Sequence, residues 1–416
     1  MDHFNYKDGE LYAENLKVSD LARQYGTPLY IYSKATLTRH MKAFEDALQG
    51  KKHLICYAVK ANSNLTLLSL MKSLGAGFDV VSEGELRRVL KVGADPKKII
   101  FSGVGKTREE LELAVKTGIG CINIESEPEF ELLSEVCREL KLEVKAALRV
   151  NPDVDAKTHP SISTGLKSNK FGLSPDAAFE LYQRMAADPY VQVSGIDCHI
   201  GSQMTSGAPI AEATEKLLTL YGRLEEAEIF VDHIDIGGGL GVTYNDETPP
   251  SPYEYMAAVL KRVGERDVAI YVEPGRAMVA NAGILAARVL YLKKTEAKNF
   301  CIVDTGMSDL IRPALYNSWM NIIECNKREG DKTVYDVVGP ICESDDFLGK
   351  ERKLNVQQGD FIAVRGAGAY GFAMASNYNA RRLPCEILVD GDKVEVIRRR
   401  QEFEELWQDE ALLSFD

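Results

Sequence analysis

Residues 233–241 read His-Ile-Asp-Ile-Gly-Gly-Gly-Leu-Gly, a short apolar run that stops in a glycine turn. A run this short, apolar throughout and bounded by glycine, predicts a strand buried on both faces. The same signature recurs at Leu54–Lys60, Phe78–Ser82, Ile99–Gly103, Cys121–Glu125, Lys145–Asn151, Ser194–Ile200 and Ile270–Pro274. Between these runs lie segments with apolar residues at helical spacing, such as Leu65–Leu74, Glu83–Val92 and Glu109–Thr117. Ser126 followed by Glu129 predicts a capping box opening a further helix. Eight strand–helix units fit a closed (β/α)8 barrel of the TIM type better than an open doubly wound sheet. The fold class expected is therefore α/β, with the barrel over residues 33–279.

Beyond Ala280 the pattern changes. Ile284–Leu292, Asn299–Val303, Thr333–Val338, Asp360–Val364 and Glu386–Val389 lie between turn signals, and Asp390-Gly391-Asp392 before Lys393–Ile397 is a hairpin signature. Residues 280–416 are expected to form a C-terminal antiparallel β domain that also takes up strands from residues 1–32.

A chain of 416 residues with 45% hydrophobic and 27% charged residues has the apolar content for two cores. Its net charge of -12 disfavours nucleic acid and anionic membranes as partners. The start, MDHFNYKDGELYAEN, has no basic region ahead of an apolar run, and no stretch approaches a membrane span, so the expected location is cytoplasmic. The eight cysteines form no CxxC pair and read as reduced thiols. The six histidines show neither HxxxH nor HxH spacing, and no metal site is expected.

Barrel chemistry projects from the C-terminal strand ends. The first strand closes on Lys60. Alone, such a lysine reads as a surface residue. Desolvated, its amine would become the nucleophile that a Schiff-base lysine requires. Its neighbours favour the second reading. The seventh strand runs into Gly237-Gly238-Gly239-Leu240-Gly241 and the eighth ends in Glu273-Pro274-Gly275-Arg276. Glycine turns after the seventh and eighth strands are where barrels cradle phosphate, and Arg276 is a candidate for that phosphate or for a substrate carboxylate. A lysine, a phosphate cradle and an acid are what pyridoxal 5'-phosphate needs: an anchor, a hold on the aldehyde, and a carboxylate facing the pyridine nitrogen. His199 is either a ring-stacking residue or a hydrogen-bonded core histidine, and Ser202 is a candidate phosphate donor. Asp79 and Arg149 read equally as a buried ion pair or as support for the site. Two motifs are set aside. Gly103-Val104-Gly105-Lys106-Thr107 ends like a phosphate loop, but Ile100 breaks its spacing. Val242 breaks the dinucleotide fingerprint at 237–239.

In order along the chain, YAVKAN, FDVVSEGEL, FSGVGKT, INIESEPE, RVNPDVDA, STGLKSNKFG, CHIGSQ, DIGGGLG, EPGR, RPALY, GPICESDD and GAGAYG resemble the fold-type III pyridoxal-phosphate decarboxylases. The resemblance is strongest to the branch that acts on meso-2,6-diaminopimelate, releasing CO2 and L-lysine in the last step of lysine biosynthesis. It implies that Lys60 holds the cofactor aldehyde, that His199 stacks on the ring and that Glu273 meets the pyridine nitrogen. It also implies that Gly239, Gly275 and Arg276 surround the phosphate or the reacting carboxyl, with Tyr370 near cofactor and substrate; Gly238 of the glycine turn and Ser202 join them as cofactor-binding candidates. The family's homodimers share active sites across the interface, with Cys342 as proton donor and Glu343 on the distal substrate amine. Arg312 and Tyr316 resemble the family's distal-carboxylate clamp. For Arg312 the alternative is a surface salt bridge to Asp309. Glu83 departs from the small residue common in relatives, at a helix start where negative charge is tolerated. A related decarboxylase of ornithine, lysine or another diamino acid is the nearest alternative. A racemase would not want Glu273, and a non-catalytic cofactor carrier would not need residues 281–416. The polar stretch Asn151–Phe171 is the segment expected to close over substrate.

Overall fold

A computed structural model describes residues 2–156, 164–166 and 169–415, so the expectation for Asn151–Phe171 falls in part outside the described residues. The chain divides into two compact units, Thr38–Met278 and Met1–Leu37 with Val279–Asp416.

In the first unit, eight strands close into an all-parallel barrel: His53–Ala58, Gly77–Val80, Ile99–Phe101, Cys121–Ile124, Val144–Arg149, Val191–Asp197, His233–Asp235 and Ala269–Val272. Closure is made by Ile270, Tyr271 and Val272 of the eighth strand pairing with His53, Leu54 and Ile55 of the first. Gly77–Val80 and Cys121–Ile124 are buried at every position, which is why their sequences read as runs rather than alternations. The helices bury one stripe each; Glu83–Lys91 covers only Leu86 and Val89 and is capped by Ser82 Oγ, which accepts from the Glu85 amide.

The capping box expected at Ser126 is not formed. Ser126 is the N-cap but its side chain makes no cap hydrogen bond, and the Glu129 carboxylate that would complete the box turns inward to Lys106 at 2.7 Å instead. Lys106 also donates to the carbonyls of Gly103 and Asn123, at 2.8 and 2.6 Å. The amine of the apparent phosphate loop is thus bound into a buried structural pair. Complete capping boxes occur at Thr107/Glu110 and Ser251/Glu254.

The second unit is built on a nine-stranded sheet around the long strand Gly283–Lys294, which pairs with Leu29–Ser33, Asn299–Val303 and Phe361–Val364. The sheet is mostly antiparallel, with two parallel pairs: Asn299–Val303 beside Thr333–Val338, and Cys385–Asp390 beside Leu29–Ser33. From the N-terminal region, Leu29–Ser33 joins this sheet. Phe4–Lys7, Glu10–Ala13 and Leu16–Lys17 form a small sheet of their own whose Phe4 and Leu11 enter the same core as Ile284 and Ile387. Among the described residues no helix is long and apolar enough to cross a membrane.

Candidate active site

Lys60 does not end a strand. The first barrel strand stops at Ala58, and a 3-10 turn over Val59–Ala61 carries Lys60. Its half-buried amine donates to Asp79 Oδ2 at 2.8 Å, and Asp79 is fully buried on the second strand. Of the two readings of Asp79 and Arg149, their mutual ion pair does not form, and two other pairs take its place. Asp79 takes Lys60, and Arg149 donates to Glu125 Oε1 at 2.8 Å. Strand order explains the exchange: Asp79, on the second strand, neighbours the first, whose following turn carries Lys60, and Arg149, on the fifth, neighbours the fourth, which Glu125 directly follows.

Glu273 follows the eighth strand, buried, with Oε1 accepting from Ser102 Oγ at 3.3 Å. One ligand oxygen each from Glu273, Asp197 and Asp235 lies within 4.8 Å of the others. Burial, followed by the neighbouring carboxylates Asp79, Asp235 and Asp197, holds Glu273 well above the usual carboxylate range, while Lys60 opposes this. Asp197 is raised likewise by burial and by Asp235. Asp235 is pushed up to about 7, mainly by burial, with the Gly237 amide bonded to its Oδ1 at 2.8 Å pulling the other way. Among the described residues Asp79 Oδ1, Asp197 Oδ1 and Asp235 Oδ2 are buried with no hydrogen-bond partner.

The cluster has a thermodynamic consequence. Between the unfolded carboxyl value of 3.8 and about 7, the folded protein retains a proton on Asp235 that the unfolded chain has released. The folded state then binds more protons, so stability from this group is complete below the lower value and is lost as pH rises through the upper one. Asp235→Asn keeps an oxygen for the Gly237 amide and removes the titration. The melting temperature of the wild-type apoprotein, relative to that variant, is expected to fall between pH 5 and 8, by roughly 2–4 °C for each 1 kcal/mol lost. Parallel melting curves across that range would remove the argument.

His199, after the sixth strand, is oriented by the Gly238 amide, which donates to Nδ1 at 3.1 Å and leaves the ring proton on Nε2. Burial, then Lys60 and Arg149, push its pKa well down, so the ring is neutral. The glycine turn is sterically required. Gly237 and Gly239 have φ of +66° and +106°. A Cβ on Gly238 would lie 2.4 Å from the Glu273 carbonyl, and one on Gly239 would lie 2.1 Å from Met204 Cε. Arg276 donates to Ser202 Oγ from Nε and Nη2, at 3.1 and 3.0 Å, and to Tyr244 Oη at 2.8 Å. Gly275 accepts from the Met278 amide, at the start of the short turn that begins with Arg276. One barrel mouth thus assembles Lys60, His199, Ser202, Gly238, Gly239, Glu273, Gly275 and Arg276. These groups fit pyridoxal phosphate. The turn admits no side chain where a phosphate would approach, the amine suits an aldehyde, and the buried carboxylate of Glu273 suits a protonated ring nitrogen.

In the β unit, Arg312 is buried at the start of the five-residue helix Arg312–Tyr316. Its guanidinium carbon lies 5.7 Å from the Tyr316 ring centroid and 5.8 Å from that of Tyr370. The alternative of a surface salt bridge is not what forms: Arg312 is enclosed, and Asp309 accepts from Thr305 Oγ1 at 2.9 Å and the Gly306 amide. Tyr370 holds a left-handed φ of +55°, which is uncommon for a residue with a side chain. Cys342 is exposed, with its amide donating to Asn379 Oδ1 at 2.8 Å, and Glu343 accepts from Tyr378 Oη. Sequence reading missed Asp197, Asp235, Tyr244, Tyr378 and Asn379. For the two acids the signal was present, since each sets a carboxylate in an otherwise apolar run.

Fold and mouth together define a barrel enzyme of the pyridoxal-phosphate class. Residues 34–280 match the family described as pyridoxal-dependent decarboxylase, pyridoxal binding domain. The chain is 54% identical to the diaminopimelate decarboxylase of Vibrio cholerae over 99% of its own length and 100% of the relative's. It is 52% identical to that of Haemophilus influenzae over the same shares. Its structure is similar to that of diaminopimelate decarboxylase from M. jannaschii in complex with L-lysine, with a TM-score of 0.95, 36% identity, and coverage of 99% of this chain and 98% of that one. The chain belongs to the diaminopimelate decarboxylase family of pyridoxal-dependent decarboxylases.

Proposed function

We propose that this protein decarboxylates meso-2,6-diaminopimelate to L-lysine and CO2, the last step of lysine biosynthesis, as a cytoplasmic homodimer with shared active sites. The observation that carries the chemistry is the amine of Lys60, 2.8 Å from Asp79 in the mouth that holds Glu273. Bound pyridoxal phosphate supplies an electron sink for the pair left when CO2 departs. Lys60 would hold its aldehyde and would give way there to the substrate's D-centre amine. Asp79 keeps the Lys60 amine aimed into the mouth. Glu273, crowded by Asp197 and Asp235, would face the ring nitrogen and share a proton with it, keeping that nitrogen cationic. Neutral His199 offers a flat uncharged face. Gly238, Gly239, Gly275, Ser202 and Arg276 receive the phosphate, and Tyr370 lies near cofactor and substrate. Cys342 returns a proton to the α-carbon, Glu343 holds the distal amine, and Arg312 with Tyr316 holds the distal carboxylate.

The test is CO2 release by the purified protein with added pyridoxal phosphate, comparing meso-diaminopimelate with L-ornithine, L-lysine and D-lysine. Turnover confined to meso-diaminopimelate, with L-lysine as product, is the expected result. Preference for a substrate without a distal carboxylate would leave the decarboxylase and remove the Arg312 clamp.

A further inference from the structure

The loop that carries Cys342 is tied at its base and at its tip. At the base, the buried Asp346 accepts the Ile341 amide on Oδ2 at 2.7 Å and the Met307 amide on Oδ1 at 2.6 Å. Gly306 and Gly339 close around it: a Cβ on either would come within 2.6 and 2.5 Å of an Asp346 oxygen. This tether explains the aspartate of the GPICESDD motif, but it stops one residue short of Cys342.

The tip is held by Tyr378 and Asn379. Asn379 accepts the Cys342 amide at 2.8 Å, and the Tyr378 hydroxyl donates to Glu343. The segment that presents them is bent in a costly way. Asn379 and Ala380 are consecutive residues in the left-handed region, with φ of +55° and +53°. Asparagine tolerates that region, but alanine seldom enters it. The bend is maintained from the far side by the body of the unit. The Ser376 amide donates to the Ser308 carbonyl at 2.9 Å, Asn377 Nδ2 to the Arg381 carbonyl at 2.8 Å, and Arg381 to the Asp304 carbonyl at 3.1 Å. A strained backbone that surrounding bonds hold in place, with its side chains spent on two adjacent loop residues, is the usual setting of a positioning device.

We infer that Asn379 and Tyr378 are positioning residues for decarboxylation: Asn379 fixes the main chain at Cys342, and Tyr378 fixes the Glu343 carboxylate. The inference rests on the proposed roles of Cys342 and Glu343. It assigns them separable effects. Loss of the Asn379 tether acts on proton return and hence on kcat. Loss of the Tyr378 tether acts on capture of the distal amine and hence on KM.

The experiment uses the holoenzyme carrying Asn379→Gly, Asn379→Asp or Tyr378→Phe. Glycine accommodates the left-handed backbone while removing the acceptor, so this variant tests the hydrogen bond without endangering the fold. Asn379→Gly is expected to lower kcat about 10- to 100-fold with KM for meso-diaminopimelate changed less than about twofold, as a misplaced catalytic group would. Asn379→Asp, which keeps an acceptor and tolerates the same φ, is expected to restore most of that loss. Tyr378→Phe is expected to raise KM more than it lowers kcat. A second readout is independent of turnover: the rate of alkylation by iodoacetamide at Cys342, which is exposed while the other seven cysteines are buried. That rate is expected to change several-fold in Asn379→Gly and to return toward wild type in Asn379→Asp. Wild-type kcat and alkylation rate in Asn379→Gly, or an Asn379→Asp as impaired as Asn379→Gly, overturns the inference. A fully active Cys342→Ala would instead remove the proton-donor reading, and the alkylation rates would still report whether the tether exists.

Discussion

Replacing Lys60 with alanine is expected to reduce CO2 release from meso-diaminopimelate by on the order of 10⁴-fold or more, since a covalent step has no substitute among its neighbours. The visible absorbance of cofactor bound through an amine should vanish with it. Lys60→Arg is expected to fare no better, because a guanidinium stays protonated and cannot form the bond to the aldehyde. The substitution also has a structural effect that must be separated from the chemical one. Lys60 is the donor on Asp79 Oδ2, and Asp79 Oδ1 is already buried without a partner. Alanine at 60 therefore exposes a buried carboxylate to its full desolvation cost, about 1–3 kcal/mol, which thermal unfolding of the apoprotein would register. The double variant Lys60→Ala/Asp79→Asn removes the charge and should recover stability while remaining inactive. Turnover by Lys60→Ala at more than a trace would end the proposed mechanism whatever its stability.

How far the sequence revealed this site depends on which physical signal each residue leaves. All eight barrel strands were legible, because a strand buried on both faces is an unbroken apolar run. Their C-terminal ends were read too long. Phe78–Ser82 is Gly77–Val80 in the structure, and Ile99–Gly103 is Ile99–Phe101, because the chain leaves the ladder to turn into the mouth while its residues remain small or apolar. The strand Phe347–Leu354 was not legible at all. It lies at one end of the sheet order and carries Lys350, Glu351, Arg352 and Lys353, the charge that an edge strand uses against further pairing and that hides its alternation. Partner choice was the other gap. Asp79 and Arg149 were visible as buried charges, but adjacency around a closed barrel decides that Lys60 and Glu125 meet them. Nothing in Tyr378-Asn379-Ala380 announces two left-handed residues in succession, so the hold on Cys342 emerges only from the backbone.

Arg312 sets the largest expected change in specificity. Its guanidinium is buried near the rings of Tyr316 and Tyr370, at 5.7 and 5.8 Å from their centroids, where a planar fork can pair a carboxylate with two parallel bonds. A substrate lacking the distal carboxylate forgoes those two charge-assisted bonds, which is the kind of difference on which sites discriminate strongly. Arg312→Met, which keeps much of the apolar stem, is expected to lower kcat/KM for meso-diaminopimelate about 10²- to 10³-fold. The same variant should lose far less with D-lysine, which has no distal carboxylate to pair with a guanidinium. Arg312→Lys is expected to stay closer to Arg312→Met than to wild type, since an ammonium supplies a point charge without the fork or the stacking surface. The quantity to measure is the ratio of kcat/KM for meso-diaminopimelate to that for D-lysine in the three proteins. A ratio that collapses in both variants places the distal carboxylate on Arg312. A ratio unchanged from wild type would show that selection is made by the amine contact at Glu343, and Arg312 would then be a packing residue of the β unit.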